Sequence, residues 1–189
     1  MPCLKGEEMD ERALRLRAAF VFNFCKFVEW PKDAFDGKKA PLVVGIDLSD
    51  ANFSIFEKSL ANKTVQGRPL QVIRLTPETL NQTIHVAYLG STPADQIDGA
   101  LSAFGGRPVL TIGDADPFNQ AGGVIQFLPS EGRLRYRINL AAKHDDLDFS
   151  AKLLQLALVY ESTSMRWQSE RVYYASPLTI EPAQLWGTL

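Results

Sequence analysis

The sequence predicts an α/β fold, with a mostly parallel sheet flanked by helices and an antiparallel C-terminal hairpin at one edge. The short unbroken apolar run at residues 42–46 is typical of a strand covered on both faces in a parallel sheet, and further strands are predicted at 70–75, 85–89 and 109–112. Helical stretches alternate with these strands, as in layered α/β folds. Two more strands, at 123–128 and 133–139, are joined by the turn-rich stretch 129–132, which predicts a hairpin.

The first helix is predicted over residues 11–30. Leu16, Phe20, Phe24 and Phe27 form one apolar stripe, and the second half of the helix is apolar almost all round. Such a helix is expected to be buried against a sheet or a second subunit. Pro31 is expected to end it, because the residue before proline is disfavoured in the α region. Further helices are predicted at 51–60, 93–104 and 151–159, with short helical starts at 76–78 and 140–144.

The length of 189 residues fits one domain with a substantial core. We expect a disordered N-terminal tail at 1–10, the α/β domain at 11–160 and an irregular C-terminal extension at 161–189. A formal charge of −2, with both signs mixed along the chain, argues against a nucleic-acid partner. The longest apolar stretch, 18–28, is too short to span a membrane and, following acidic residues, makes a poor secretion signal.

The two cysteines do not form a disulfide framework. Cys25 lies in the most hydrophobic segment and is expected to be a buried free thiol, which packs as a small apolar group. A bridge to Cys3 is the alternative, and it requires the N-terminal tail to fold back.

Catalytic motifs are missing from the sequence. It has no G-x-S-x-G elbow and no phosphate-binding loop of the Walker type. His85 falls inside an apolar strand, which favours a structural histidine. His144 adjoins Asp145 and Asp146, which suggests a metal cluster, but consecutive residues diverge on a helix and solvated charges are the preferred interpretation. We therefore predict no catalytic residue, no metal and no cofactor.

One possible ligand crevice lies where the predicted strands end. Asp47, Ser91 and Asp114 follow three of these strands, and ligands of α/β sheets bind beyond the carboxyl ends of strands. Asp114 and Asp116 could bind a cation or act as acid and base. The preferred alternative is that they cap a helix or a loop corner, as Asp commonly does in turns.

The second strand of the hairpin has one basic face. Arg133, Arg135 and Arg137 alternate with apolar residues, so the arginines are expected to share one side of the strand. This face could bind an acidic partner. It could also be a solvated face that protects the sheet edge from aggregation.

Three segments, in order, resemble the YfiR family. Residues 18–31 match the family's aromatic-Asn-Phe-x-Lys-Phe-x-x-Trp-Pro signature, and residues 65–70 match its Gly-Arg turn. Residues 122–154 match its Gly-Gly hairpin, its Ile-Asn-Leu-x-Ala step and its Ser-x-Lys-Leu-Leu helix. The resemblance covers residues 15–159. The cysteines that form disulfides in better-known members are missing here, and the tail after residue 160 extends beyond the expected family end.

The resemblance implies a non-enzymatic periplasmic regulator that dimerises. It implies repression of an inner-membrane diguanylate cyclase through binding of its periplasmic part, with an outer-membrane lipoprotein as a further partner. A sensor kinase is the other membrane partner considered, and the membrane is approached only through such a partner. A secretion signal is expected, although these 189 residues show none. The candidate partner-binding residues are Trp30, Arg68, Arg133, Arg135 and Arg137.

Two other functions stay open at this stage. One is a periplasmic small-molecule binding module that uses the crevice near Asp47, Ser91 and Asp114 and serves a sensor kinase or transporter. The other is a hydrolase whose site is assembled from residues distant in sequence. For Trp30 and Arg68, and also for Asn139, a purely structural role is the alternative to a functional one.

Overall fold

The structure is a computed structural model that describes residues 10–130, 133–155 and 157–159. Its helices are α1 (Glu11–Phe27), α2 (Asp50–Leu60), α3 (Ile97–Ser102) and α4 (Ala151–Gln155). Short 3₁₀ helices lie at Lys32–Ala34, Thr79–Asn81, Ala94–Gln96 and Leu140–Ala142. The predicted tail at 1–10, apart from Asp10, and the predicted extension at 161–189 lie outside the described residues, and so does the possible Cys3–Cys25 bridge.

The strands are β1 (Val28–Glu29), β2 (Leu42–Asp47), β3 (Thr64–Val65), β4 (Arg68–Arg74), β5 (Val86–Leu89), β6 (Leu110–Gly113), β7 (Ile125–Ser130), β8 (Arg133–Ile138), β9 (Asp148–Phe149) and β10 (Leu158–Val159). Within the described residues, the main sheet has the order β10-β8-β7-β6-β5-β2-β4-β3. The pairings from β4 to β7 are parallel, whereas β7 and β8 form an antiparallel hairpin. The predicted fold class is confirmed.

Two apolar clusters cover the two faces of the sheet. Val86 and Tyr88 of β5 belong to a cluster with α1 and α2, while Ala87 and Leu89 belong to a cluster with α3. Because successive strand residues point to opposite faces, these clusters lie on opposite sides of the sheet. Burial on both faces explains why the central strands β2 and β5 are rich in apolar residues, whereas β4 is only partly buried and includes Gln71 and Arg74.

The first helix differs from the prediction at its C-terminal end. It ends at Phe27, and Val28 and Glu29 pair antiparallel with Phe149 and Asp148. This pairing holds the chain extended two residues before Trp30, so Pro31 is not what ends the helix. The buried side of α1 is also rotated from the predicted stripe, since Leu16 is exposed and residues Leu14, Ala18, Val21, Phe24 and Cys25 are buried.

The last predicted helix is shorter than expected. Residues 151–159 were predicted as one helix, but α4 ends at Gln155 and Leu158–Val159 forms β10, parallel to β8. The helix predicted at 93–104 is similarly divided into a 3₁₀ turn and α3. In the 151–159 segment, the parallel pairing of Leu158 and Val159 with β8 overrides the apolar pattern of the segment itself.

A tight turn connects β6 to the hairpin. Phe118, which is fully buried, packs over the backbone of Gly113 and Gly123, where a Cβ would lie 2.3 Å and 2.1 Å from its ring. Glycine is required at both positions, because any side chain would occupy the space of the ring. This turn fixes the start of the hairpin, and therefore of the basic strand β8, against the parallel strands.

Candidate functional site

The carboxyl ends of β2, β5 and β6 lie side by side, as predicted for Asp47, Ser91 and Asp114. The side chain of Asp47 accepts a hydrogen bond from Thr92, and its carbonyl oxygen accepts the backbone N–H of Ser91 at 3.0 Å. These bonds close the β5 loop onto the end of β2. The carboxylate of Asp47 is therefore bonded within the chain, and the carboxylate of Asp114 is bonded by Arg17 and Tyr88.

Asp114 forms a mostly buried polar triad with α1 and β5. Its Oδ1 accepts a hydrogen bond from Arg17 Nε at 2.7 Å, and its Oδ2 accepts one from the Tyr88 hydroxyl. The side chains of Arg17 and Asp114 are only 13% and 18% exposed. Burial, and next the neighbouring Asp114 carboxylate, raise the pKa of Tyr88 well above its ordinary value, so the phenol stays a donor. The contacts support the interpretation of Asp114 as a structural loop corner.

The basic face of β8 is arranged as the alternation predicts. Tyr136 and Ile138 are buried, and the Tyr136 hydroxyl donates to the Leu153 carbonyl on α4 at 2.9 Å. Because neighbouring strand residues face opposite sides, Arg133, Arg135 and Arg137 lie on the side away from α1 and α4. Arg133 and Arg135 are exposed, whereas Arg137 is half-buried. We call these three residues the basic face.

Uncharged residues of the partner strand β7 lie opposite the basic face. Arg137 pairs with Gln126 and Arg135 with Leu128. The Gln126 side chain bonds to the Asp116 carbonyl at 2.8 Å and accepts the Asn119 N–H, so it is held inside the β6–β7 turn. The exposed part of the basic face is the end with Arg133 and Arg135, whereas Arg137 opposite Gln126 is half-buried.

Trp30 and Arg68 lie in a different place from the basic face, at the amino-terminal edge of the parallel strands. Trp30 is 8% exposed, and its indole N–H donates to the His85 carbonyl at 3.2 Å. Arg68 donates to the carbonyls of Gly37 and Ala40 at 2.8 and 3.0 Å and stacks on the Phe35 ring at 3.8 Å. The five predicted partner-binding residues thus do not form one surface. Its burial and its bond to His85 support a structural role for Trp30.

His85 is a structural histidine, as predicted. Its ring is 2% exposed, accepts the Val43 backbone N–H on Nδ1 at 3.0 Å and lies with Nε2 2.9 Å from the Ala34 carbonyl. These partners assign the proton to Nε2 in the neutral ring. Burial is the main cause that lowers the pKa of His85, and the Ala34 carbonyl opposes it.

The segment around His144 is organised by a lysine. The Lys143 ammonium donates to the carbonyls of His144, Asp145 and Leu147. His144 Nδ1 lies 3.6 Å from the Asp146 carboxylate, and the two side chains are 28% and 62% exposed. Nowhere in the described part of the chain do three or more His, Cys, Asp or Glu side chains come together as metal ligands.

A shallow groove of about 130 Å³ lies away from the predicted crevice. Its walls include Phe104, Arg107, Thr111, Val124 and His144. Arg107 is held by the carbonyls of Leu80 and Ala103. Ligand sites for drug-sized molecules are usually about 300–1,000 Å³, so this groove is small for such a ligand.

Sequence reasoning missed a buried amide network beneath the hairpin. Asn139 donates to the Asn119 carbonyl at 2.9 Å and accepts the backbone N–H groups of Ala141 and Ala142 at 3.1 and 3.3 Å. Asn119 in turn donates to the Gly123 and Val124 carbonyls. The Ile-Asn-Leu motif was the available signal for Asn139, and its contacts assign it to the structural role.

Cys25 is a fully buried thiol on α1, as expected. Burial raises the pKa of Cys25 to about 12, so the thiol is neutral and unreactive at ordinary pH. In the described part of the chain, no helix is long and apolar enough to cross a membrane.

Comparison with known proteins identifies one family and one fold. The family model described as DUF4154, YfiR/HmsC-like, matches residues 14–158. Among curated proteins none matches the sequence. A crystal structure titled as a conserved domain protein from Vibrio cholerae O1 biovar El Tor is similar in fold, with a TM-score of 0.51 at 12% identity. The alignment covers 78% of this chain and 60% of that one, so this chain spans less than two thirds of its length.

Proposed function

Because the chain belongs to the YfiR/HmsC-like family, a regulatory family of the periplasm, we propose that it acts by binding. In this proposal it is a periplasmic, non-enzymatic protein that binds the periplasmic part of an inner-membrane signalling protein and represses it. The first candidate partner is a diguanylate cyclase, whose repression lowers cyclic-di-GMP signalling. A sensor kinase is the second candidate.

The observation that carries the proposal is the basic face of β8. Arg133 and Arg135 project from the exposed end of the hairpin, two positions apart and on one side. Guanidinium groups bind carboxylates through paired N–H donors, so this arrangement suits an acidic surface or an acidic extended segment. By contrast, the carboxylates that a hydrolase would need at the strand ends are engaged by Arg17, Tyr88 and Thr92.

Repression through such a surface requires a difference in affinity. A bound protein shifts a membrane partner toward whichever conformation it binds more tightly, and by no more than that difference. A rigid hairpin is suited to this, because its backbone needs no ordering on binding, which lowers the entropy cost. The antiparallel pairing of β8 with β7 over six residues provides that rigidity.

The proposal is tested by measuring the affinity of the purified chain for the periplasmic domain of the membrane signalling protein encoded beside it. We expect binding that weakens as salt rises, because exposed charges are screened beyond about 8–10 Å at physiological salt. The charge-reversed variant Arg133→Glu/Arg135→Glu is expected to lose at least tenfold in affinity, mostly as slower association.

The matched control reverses two exposed cations on the opposite side of the sheet. Arg12 on α1 and Lys58 on α2 are exposed, so Arg12→Glu/Lys58→Glu makes the same change in net charge. The control is expected to bind as the wild type does. Equal losses in both variants would mean that net charge alone matters, and absence of binding at high micromolar concentration would favour the small-molecule module.

Trp30 and Arg68 stay proposed contacts, but their bonds within the chain change how they must be tested. Alanine at either position removes contacts to the His85 carbonyl or to the loop at Gly37 and Ala40. The affinities of Trp30→Ala and Arg68→Ala for the periplasmic domain should therefore be compared with that of the wild type only after unfolding curves show that each variant is folded. A loss of affinity in a fully folded variant would support a direct contact.

Two further partners belong to the proposal. A second copy of the chain would give a homodimer, which light scattering on the same sample measures as a doubled mass. An outer-membrane lipoprotein would compete with the inner-membrane partner for the chain. Adding the soluble part of such a lipoprotein should then release the chain from the immobilised periplasmic domain.

A further inference from the structure

His85 connects the sheet to the segment that follows Trp30. The segment 31–41 crosses the amino-terminal edge of the parallel strands, and its Ala34 carbonyl lies 2.9 Å from His85 Nε2. The Phe35 ring stacks on the imidazole with centroids 4.3 Å apart. On the other side the imidazole accepts the backbone N–H of Val43 in β2. One ring thus holds the segment and the sheet together.

The main chain at His85 is fixed independently of its ring. The His85 N–H donates to the Val43 carbonyl at 3.0 Å, and its carbonyl accepts the Leu110 N–H at 2.9 Å and the Trp30 indole N–H. A change in the charge of the ring therefore acts on what the ring touches, and not on the position of the strand.

The two ring contacts respond oppositely to a proton. The Val43 N–H requires an unprotonated Nδ1, because two N–H donors 3.0 Å apart repel each other. The Ala34 carbonyl, in contrast, binds an imidazolium more strongly than a neutral imidazole. A protonated ring would separate from Val43 and turn toward solvent about its own side-chain bonds, and because the Ala34 carbonyl stays bonded to it, the segment 31–41 would move with the ring.

Of the charged groups around His85, one lowers its pKa and one raises it. Arg68 on β4 disfavours the imidazolium, and it also stacks on the far side of Phe35 and holds Gly37 and Ala40. Asp36 in the segment favours it. The flanking strands contribute no ionisable side chain at positions 42–46 or in β6. Aromatic rings at Trp30 and Phe35 complete the surroundings of the ring.

We propose that His85 is an acid-sensitive link between the segment 31–41 and the sheet. A proton from solvent binds Nδ1, breaks the hydrogen bond from the Val43 N–H and loosens the segment from the sheet. The opening is a property of the isolated chain and requires no partner. Histidine is the side chain suited to this, because its charge changes between about pH 5 and pH 8.

The size of the effect follows from linkage. The opened state has a solvated histidine with a pKa near the ordinary 6.5, while the closed state holds a lower pKa. Between those two pKa values the opened fraction rises about tenfold for each unit that the pH falls. Above pH 6.5 the opened fraction should not depend on the charge of His85.

The test measures hydrogen exchange at the Val43 amide in the full chain from pH 7.5 to pH 5, corrected for the intrinsic pH dependence of exchange. We expect protection at Val43 to fall about tenfold per unit below pH 6.5. The variant His85→Gln offers an amide oxygen as an acceptor for the Val43 N–H and an amide N–H as a donor for the Ala34 carbonyl, but it does not titrate. Its protection should stay constant over the same range.

Two further measurements keep the test decisive. His144→Gln removes the other histidine and should leave the wild-type pH dependence unchanged. If His85→Gln does not fold, NMR titration of the His85 ring in the His144→Gln variant replaces it, and the Val43 amide should open with the midpoint of the ring. The same pH dependence in the wild type and in His85→Gln, or a Val43 opening that does not follow the His85 titration, would overturn the proposal.

Discussion

Replacing Asp114 with alanine is expected to lower the free energy of unfolding by about 3 kcal/mol. The carboxylate is bonded to Arg17 at 2.7 Å and to the Tyr88 hydroxyl, and the Arg17 and Asp114 side chains are 13% and 18% exposed. Exposed ion pairs contribute up to about 1 kcal/mol. Removing one member of a buried pair costs about 3–5 kcal/mol, because the other charge is left unpaired. The small residual exposure places Asp114 near the lower end of that range.

Urea unfolding followed by circular dichroism measures this loss, with the slope against urea expected to stay unchanged. A matched control is available on the same loop. Asp116 is exposed, so Asp116→Ala should change the free energy of unfolding by less than about 0.5 kcal/mol. Arg17→Met and the double variant complete a mutant cycle, in which a coupling energy above about 1 kcal/mol is expected for residues in direct contact.

A loss below about 1 kcal/mol in Asp114→Ala would contradict the buried character of the Arg17–Asp114 ion pair. It would mean that water replaces the carboxylate at little cost, as at an open surface. Asp114 would then be available to a ligand at the strand ends, and the small-molecule module would gain support. The same variant also serves the hydrolase alternative, which requires that it abolish an activity that the wild type shows.

Three further predictions concern the hairpin support and His85. Gly113→Ala should lower the free energy of unfolding by about 1–3 kcal/mol in urea, since the added Cβ would lie 2.3 Å from the Phe118 ring. Gly99→Ala in α3 is the control, because its Cβ meets no atom within 4 Å, and it should raise the free energy of unfolding by up to about 1 kcal/mol. Equal effects of the two variants would contradict the packing of Phe118 on Gly113. Asn139→Ala should lower the free energy of unfolding by about 2–3 kcal/mol, because three hydrogen bonds of a residue that is 5% exposed are lost. A melting temperature equal to that of the wild type would count against the buried network. Because the pKa of His85 is lowered on folding, the unfolded chain binds more protons below pH 6.5, so stability should fall from pH 6.5 toward pH 5 and fall less in His85→Gln.

The sequence predicted the centre of the fold better than its boundaries. Strands such as β2 and β5 are buried on both faces, and burial leaves an apolar run that is visible without any partner. The alternation in β8 likewise shows one buried and one exposed side. The ends of α1 and α4 could not be predicted, because β1 pairs with β9 and β10 pairs with β8 across long separations in sequence.

For the candidate site, the sequence predicted the positions of residues but not their partners. The sequence placed Asp47, Ser91 and Asp114 correctly at neighbouring strand ends, because parallel strands share one carboxyl edge. It could not show that Arg17, 97 positions away, binds Asp114. Burial of Trp30 was equally hidden, since the same residue type anchors interfaces and cores. Residue type and spacing predict where a side chain lies, but its partners depend on tertiary packing.

Repression by binding is tested most directly by measuring cyclic-di-GMP synthesis by the proposed diguanylate cyclase partner, reconstituted at full length in liposomes with its periplasmic part accessible. Adding the purified chain should lower the rate of synthesis in proportion to the bound fraction. Arg133→Glu/Arg135→Glu should require at least ten times more protein for the same effect, and Arg12→Glu/Lys58→Glu should act as the wild type does. An unchanged rate at saturating wild-type protein would contradict repression by binding, and equal potency of the two variants would contradict the role of the basic face.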